Sequence, residues 1–136
     1  MIVIDTNVLI RYVTEDHPDH SQRAFDLLRK FQTGERSGML LEGVIVETVQ
    51  VLSSKDLYNI GREEIRARVG GVLRLAGIRT PAKQVFLRAL DVYNEVPRLS
   101  FVDSLCVAYA ERDDPSVVVS FDREFRRVPS ITWEQP

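Results

Sequence analysis

Four acidic residues stand out because of where they lie in the sequence. Asp5 and Asp122 each follow a short apolar run. Asp103 lies in the first turn of a predicted helix, and Glu47 lies inside an apolar segment. Because open α/β sheets bind ligands beyond the carboxyl ends of their strands, we expect these acids to meet at one site. An isolated ionised carboxylate is costly to bury, so Glu47 should face a cleft, a partner or a metal ion.

Acids gathered at one site would repel one another strongly. Two unit charges about 4 Å apart repel by roughly 4 kcal/mol at an effective dielectric near 20. No lysine or arginine lies beside Asp5, Glu47 or Asp103 in the sequence to relieve that repulsion. Such a cluster therefore requires raised pKa values or a divalent cation, and hard oxygen ligands favour Mg²⁺ or Mn²⁺.

Each acid also has a purely structural interpretation. Asp103 follows Ser100 at the spacing of a capping box. Asp122 could cap the short helix that follows it, and Asp5 could bond to its own turn. Glu47 could face solvent. Taken singly, the acids favour these structural roles, whereas taken together they favour a shared site.

The strands that carry two of these acids are predicted from apolar, β-branched runs. Residues 1–4 predict a buried central strand that ends at Asp5, and residues 117–120 predict a second buried strand that ends near Asp122. Thr6-Asn7 supplies cap-forming side chains, so Asp5 lies at a strand-to-helix junction. Shorter strands are predicted at 39–41, 78–79 and 131–133.

Helices are predicted between these strands. Apolar residues recur at helical spacing over 8–13, 24–31 and 65–76, and the long segment 43–52 favours a helix over a strand. Thr80-Pro81 predicts another helix start, and Phe125 begins a short helix. A helix opening at Ser100 should bury Val102, Leu105, Cys106 and Tyr109. This alternation predicts an α/β fold with a mainly parallel sheet, in a single domain of residues 1–136.

The composition is that of an ordinary globular protein. A net charge of -2 makes no global case for nucleic-acid binding, because dedicated binders usually carry a basic excess. The only cysteine, Cys106, cannot form an internal disulfide, which favours a reducing intracellular setting. We expect no signal peptide and no membrane helix, since no apolar run approaches the roughly 18 residues that a span needs.

The acids stand in sequence blocks that resemble those of PIN-domain ribonucleases, and most closely VapC-type toxins of bacterial and archaeal toxin-antitoxin pairs. The blocks follow the family's order and span nearly the whole chain: IDTNVLI at 4–10, Val46-Glu47 followed by Val51-Leu52, FVDSL at 101–105 and SFDREF at 120–125. The opening block alone would be a modest signal, but the ordered set is a strong one. Residues 55–93 carry no family motif, so substrate choice and partner contacts there stay open.

The resemblance implies a PIN-like three-layer sandwich, in which a twisted, mainly parallel β-sheet is flanked by helices. It also implies cleavage of single-stranded or looped RNA with Mg²⁺ or Mn²⁺, a cytoplasmic homodimer and a cognate antitoxin. The three aspartates would bind metal, and the glutamate would bind metal or orient water. Carried over by position, the acidic set is Asp5, Glu47, Asp103 and Asp122, with Asn7 and Ser120 as polar supports.

Other residues have weaker patterns. His17 and His20 have a ligand-like spacing, but the intervening Pro18 in a polar loop favours solvated histidines over a metal site. Cys106 is expected to be buried and unreactive, and Trp133 to lie in a core or interface rather than stack on bases. Five arginines are candidates for RNA backbone contacts or for a solvated rim: Arg11, Arg98, Arg123, Arg126 and Arg127.

Two alternatives to a toxin stay open. One is a housekeeping PIN nuclease that processes RNA without an antitoxin, which genomic context would distinguish. The other is a catalytically silent binding module that keeps the fold, although the intact set of four acids argues against it. A receiver-type phosphoacceptor domain is disfavoured because the sequence does not carry an acidic pair and a partner lysine in the order that such domains require.

Overall fold

The computed structural model describes residues 1–136, which divide into two compact units, Met1–Lys83 and Gln84–Pro136. Strands and helices alternate in both units, as the sequence predicts. The first unit contains β1 (Ile2–Val3), α1 (Thr6–Thr14), α2 (Pro18–Gln32), β2 (Gly38–Met39), α3 (Glu42–Ser53), α4 (Arg62–Leu73) and β3 (Ile78–Arg79). The second contains α5 (Lys83–Glu95, starting at the boundary), α6 (Phe101–Ala110), β4 (Val117–Val119), a 3₁₀ helix (Arg123–Arg127) and β5 (Thr132–Glu134).

All strand pairs are parallel, so the predicted α/β fold class is confirmed. In the first unit the sheet order is β1-β2-β3, and Gly38 lies opposite Ile2 on one side and Ile78 on the other. In the second unit β4 pairs with β5, with Val118 opposite Trp133. Each unit therefore has a parallel sheet of its own.

The prediction that the chain opens with a buried central strand is wrong. β1 pairs only with β2, at the edge of its sheet, and Val3 is 69% exposed. Ile4, which is 2% exposed, is the buried member of the run. The prediction of a buried strand at 117–120 is wrong in part, because Val118 is buried whereas Val119 is 59% exposed.

The first unit packs its helices on the sheet through large apolar side chains. Leu9 of α1, Phe31 of α2 and Ile45 of α3 are almost completely buried. Close packing explains the glycine in β2, since a Cβ at Gly38 would lie 2.6 Å from the Cδ1 atom of Ile4. In the second unit the core is a separate cluster of buried side chains: Val92, Leu99, Val107, Val118, Phe125 and Val128.

Several helix boundaries differ from the predictions. Thr80-Pro81 does not start a helix, because Ala82 has a φ of 52° and α5 begins only at Lys83. The helix predicted over 65–76 ends at Leu73. The segment 43–52, which was ambiguous between strand and helix, is helical as predicted. No helix combines the length and the hydropathy that a membrane span requires.

The predicted inner face of α6 is wrong except for Leu105. Val102, Cys106 and Tyr109 are exposed. The buried face carries the other apolar residues and a serine: Phe101, Ser104, Leu105, Val107 and Ala108. Cys106 is therefore not the buried cysteine that the sequence suggested.

Candidate active site

Asp5 lies at the strand-to-helix junction that the sequence predicts. It follows β1 and occupies the N-cap position of α1, with an extended backbone. Its side chain makes no capping hydrogen bond, so the carboxylate is not used by its own turn, contrary to the structural alternative. Asp5 is exposed and available to a ligand.

Glu47 is held by the residue that follows Asp5. The hydroxyl of Thr6 donates to Oε2 of Glu47 at 2.9 Å, which links the first turn of α1 to the middle of α3. Thr6 is 6% exposed, whereas Glu47 is exposed, so the bond fixes an accessible carboxylate from a buried anchor. The other carboxylate oxygen remains for a ligand. Glu47 lies off the buried face of α3, although the residues around it in the sequence are apolar, so the carboxylate is not buried.

Sequence reasoning treated Thr6 only as a cap former and missed this anchoring role. The two residues are 41 positions apart, so no local pattern connects them. The only available signal was a short polar side chain directly after Asp5, at the start of a predicted helix.

Asp103 has the structural role considered for it, as part of a helix cap. It forms a capping box with Ser100, whose hydroxyl accepts from the Asp103 backbone N–H at 3.0 Å. In return, Oδ2 of Asp103 accepts from the Ser100 backbone N–H at 3.1 Å. The capping box is thus confirmed. It uses one carboxylate oxygen and leaves the other.

Asp122 is placed by a short chain of hydrogen bonds in the second unit. Its Oδ1 accepts from the Glu124 backbone N–H at 2.9 Å, which caps the 3₁₀ helix. The hydroxyl of Ser120 accepts from the Asp122 backbone N–H at 3.0 Å. The indole N–H of Trp133 in turn donates to the Ser120 carbonyl at 2.8 Å. Ser120 thus supports the backbone that carries Asp122.

Four of the five candidate arginines already have partners. Arg98 and Arg127 both pair with Glu124. Arg126 lies over the Trp133 ring, 5.9 Å from its centroid. Arg11 pairs with Asp16 at 2.9 Å. Arg123 is exposed beside Asp122.

Asp16 holds Arg11 through a small network that the sequence did not reveal. The Tyr58 hydroxyl donates to Oδ2 of Asp16 at 2.8 Å, and the Thr14 hydroxyl donates to Oδ1 at 2.8 Å. These hydrogen bonds and the Arg11 guanidinium lower the pKa of Asp16 to about 2. The carboxylate is therefore ionised at neutral pH and orients Arg11.

Asn7 and Arg11 line a cleft between α1 and α2. The cleft has a volume of about 480 Å³. From α2 it is lined by two polar side chains, His20 and Arg23, and by the apolar Leu27. Asn7 therefore lies beside Asp5 in the chain but also contributes to a separate concave surface.

The two histidines, Cys106 and Trp133 make contacts that explain them without a role in catalysis. The rings of His17 and His20 stack with centroids 3.7 Å apart, and Nδ1 of His17 accepts from the His20 backbone N–H. Partial burial and the nearby Asp103 carboxylate raise the pKa of the Cys106 thiol, which keeps it protonated and weakly nucleophilic. Trp133 packs against the core of the second unit, as expected.

The chemistry of the acids suits a hard divalent cation. Carboxylate oxygens are the ligands that Mg²⁺ and Mn²⁺ prefer. Asp5 and Glu47 belong to the first unit, and Asp103 and Asp122 to the second. As the side chains are arranged, no group of three or more histidine, cysteine, aspartate or glutamate residues is placed to hold a metal ion. Metal ligation by Asp5, Asp103 and Asp122 stays a prediction.

Parallel strands followed by aspartates place the chain among the α/β proteins that use strand ends for ligands. The family model of the PIN domain matches residues 2–131. The chain therefore belongs to the PIN-domain family, whose members are generally nucleases. A comparison with curated proteins found no match. The family match extends through both compact units and does not distinguish toxins from other PIN domains.

Proposed function

We propose that the chain is a metal-dependent endoribonuclease that hydrolyses phosphodiester bonds of RNA. Asp5, Asp103 and Asp122 would hold Mg²⁺ or Mn²⁺, and Glu47 would bind metal or orient the attacking water. The observation that carries this proposal is the junction after β1. There the Asp5 carboxylate is uncommitted, and the adjacent Thr6 fixes Glu47.

The residues would divide the chemistry between them. A bound divalent cation lowers the pKa of a coordinated water and stabilises charge that develops on the phosphate. The Thr6 hydroxyl donates to Oε2 of Glu47 and so keeps the carboxylate in one orientation. The other oxygen, Oε1, remains for a ligand. The capping box does the same for Asp103, and the 3₁₀ helix for Asp122. One long-range hydrogen bond and two local capping motifs thus fix three carboxylates before substrate binds.

RNA binding must overcome the negative charge of the chain. The net charge is -2, and the four carboxylates repel phosphate unless cations compensate them. We propose that arginines supply part of that compensation through backbone contacts. The proposed set is Arg11, Arg98, Arg123, Arg126 and Arg127.

We further propose that the nuclease is the toxin of a toxin-antitoxin pair and works in the cytoplasm as a homodimer. The motivation is the resemblance of its four sequence blocks to VapC-type toxins. An acidic site also suits an antitoxin that inserts an arginine or lysine against the carboxylates, because that charge would replace the cation. Expression without the antitoxin should arrest growth, and a small partner protein should copurify. Absence of both effects would instead favour a housekeeping nuclease.

The first experiment is cleavage of a mixed single-stranded RNA pool by purified protein. Wild type should cleave with Mg²⁺ or Mn²⁺ and stop with EDTA. Asp5→Asn and Asp103→Asn should each lower the rate at least a hundredfold. Asp56→Asn is the matched control, because Asp56 is an exposed turn residue outside the site. Folded wild type that cleaves nothing in either metal would overturn the nuclease and favour a binding module.

A further inference from the structure

The cleft between α1 and α2 is lined by side chains that recur at helical spacing on both helices of the first unit. On α1, Asn7 and Arg11 are four residues apart and share a face. On α2, His20, Arg23 and Leu27 recur at helical spacing and face them. The cleft volume of about 480 Å³ falls within the roughly 300–1,000 Å³ typical of ligand pockets.

The lining is basic and partly apolar. It contains two arginines and no carboxylate, and Val8, Ala24 and Leu27 supply apolar surface. An arginine guanidinium can stack on a base or bind a phosphate through its several N–H groups. This combination suits a ligand that is flat and apolar on one side and anionic on the other.

The arginines keep donors for such a ligand although each faces an aspartate. Arg11 uses one terminal nitrogen, Nη1, to donate to Asp16. Arg23 lies 3.7 Å from Asp19, and both side chains are about three-quarters exposed, so that pair is weak. The Asp16 carboxylate, which also accepts from Tyr58, fixes Arg11 at the rim. Arg23 is the less committed of the two.

We propose that this cleft binds one unpaired nucleotide of the RNA substrate, with the base against the apolar surface and the phosphate on Arg11 and Arg23. The inference rests on the proposed ribonuclease function and adds Arg23, which sequence analysis did not single out, to the substrate-binding residues.

The test measures affinity for a fluorescent single-stranded RNA in Mg²⁺, over a range of salt concentrations, with every variant made in the Asp103→Asn background so that cleavage does not interfere. Arg23→Ala should weaken binding about three- to tenfold. The slope of log affinity against log salt should become shallower by about 0.7, the value for one lost phosphate contact on a single strand. Arg29→Ala is the matched control, since Arg29 is also exposed on α2 but does not line the cleft. Thermal unfolding of both variants checks that each is folded.

The result separates this inference from the proposed function. If wild type cleaves RNA but Arg23→Ala and Arg29→Ala bind it equally well, the nucleotide cleft is wrong and the nuclease stands. If Arg23→Ala instead weakens only binding of a copurifying protein, the cleft is a protein-docking site and the inference is also overturned. Crosslinking of 4-thiouridine RNA to residues 20–27 in wild type, and its loss in Arg23→Ala, would support it directly.

Discussion

The indole N–H of Trp133 donates to the carbonyl oxygen of Ser120 at 2.8 Å, so that β5 holds the segment leading from β4 to Asp122. The Ser120 hydroxyl then accepts from the Asp122 backbone N–H. A candidate metal ligand is thus placed by a tryptophan that need not contact substrate. A substitution at Trp133 can therefore shift the position of Asp122 without changing the charge of the carboxylate.

Trp133→Phe should remove the donor and keep most of the ring. Loss of one hydrogen bond costs about 1 kcal/mol of unfolding free energy. We also expect RNA cleavage to slow about three- to tenfold, because Asp122 loses its support. Thr132→Val, an exposed change on the same strand, is the control for stability and rate. A stability loss with no change in rate would show that the bond is structural only.

Thr6 provides a second test, this time of Glu47. Thr6→Val keeps the shape of the buried side chain but removes the hydroxyl that donates to Oε2. We expect cleavage to fall about tenfold, which corresponds to about 1.4 kcal/mol in the barrier. Thr6→Ser retains the hydroxyl and should keep most of the rate. Similar rates for the valine and serine variants would remove Thr6 from the site.

The sequence predicted features that depend on short-range chemistry. The capping box of Ser100 and Asp103, the helical α3 and the place of Asp5 after β1 were all expected. Each depends on residues within a few positions of one another. The bond that places Glu47 comes from Thr6, 41 positions away, and the bond from Tyr58 to Asp16, the partner of Arg11, spans 42 positions. No local pattern contains either of these two bonds.

The errors have physical reasons. In α6 most residues are apolar, so helical spacing alone does not define one inner face, and Cys106 was placed on the wrong side. An apolar strand has the same pattern at an edge as at the centre of a sheet, which explains Val3. Thr80-Pro81 has a good helix-start pattern, but Ala82 adopts a left-handed conformation and delays α5.

The second unit should lose stability in acid through Glu111. Arg88 donates two hydrogen bonds to this carboxylate and Ser130 a third, which lower its pKa below the usual 4.5. Because the pKa of Glu111 is lower in the folded than in the unfolded protein, its carboxylate stabilises the folded state fully at a pH above the unfolded-state pKa. This stabilisation is lost as the pH falls through the folded-state pKa. Urea unfolding from pH 7 to pH 3 should therefore show a smaller acid loss in Glu111→Gln than in wild type. An equal acid loss would contradict the assignment.

Gly77 is predicted to tolerate no side chain. A Cβ there would clash with the carbonyl oxygen of Arg36 and would lie 2.8 Å from that of Phe31, which already accepts from the Gly77 backbone N–H. The Gly77 carbonyl also accepts from Gly38 in β2, so the backbone cannot move aside without breaking the start of β3. Gly77→Ala should lower the unfolding free energy by about 1–3 kcal/mol, in the range of overpacked cores.

Gly71 is the matched control for this substitution. It lies exposed in α4, and a Cβ there would meet no atom within 4 Å. Since alanine favours a helix over glycine by about 1 kcal/mol, Gly71→Ala should stabilise the protein. The two alanine variants should thus shift the urea midpoint in opposite directions. Stabilisation by both variants would mean that the backbone around Gly77 relaxes, and that contact with the Arg36 and Phe31 carbonyls does not determine which residue is tolerated there.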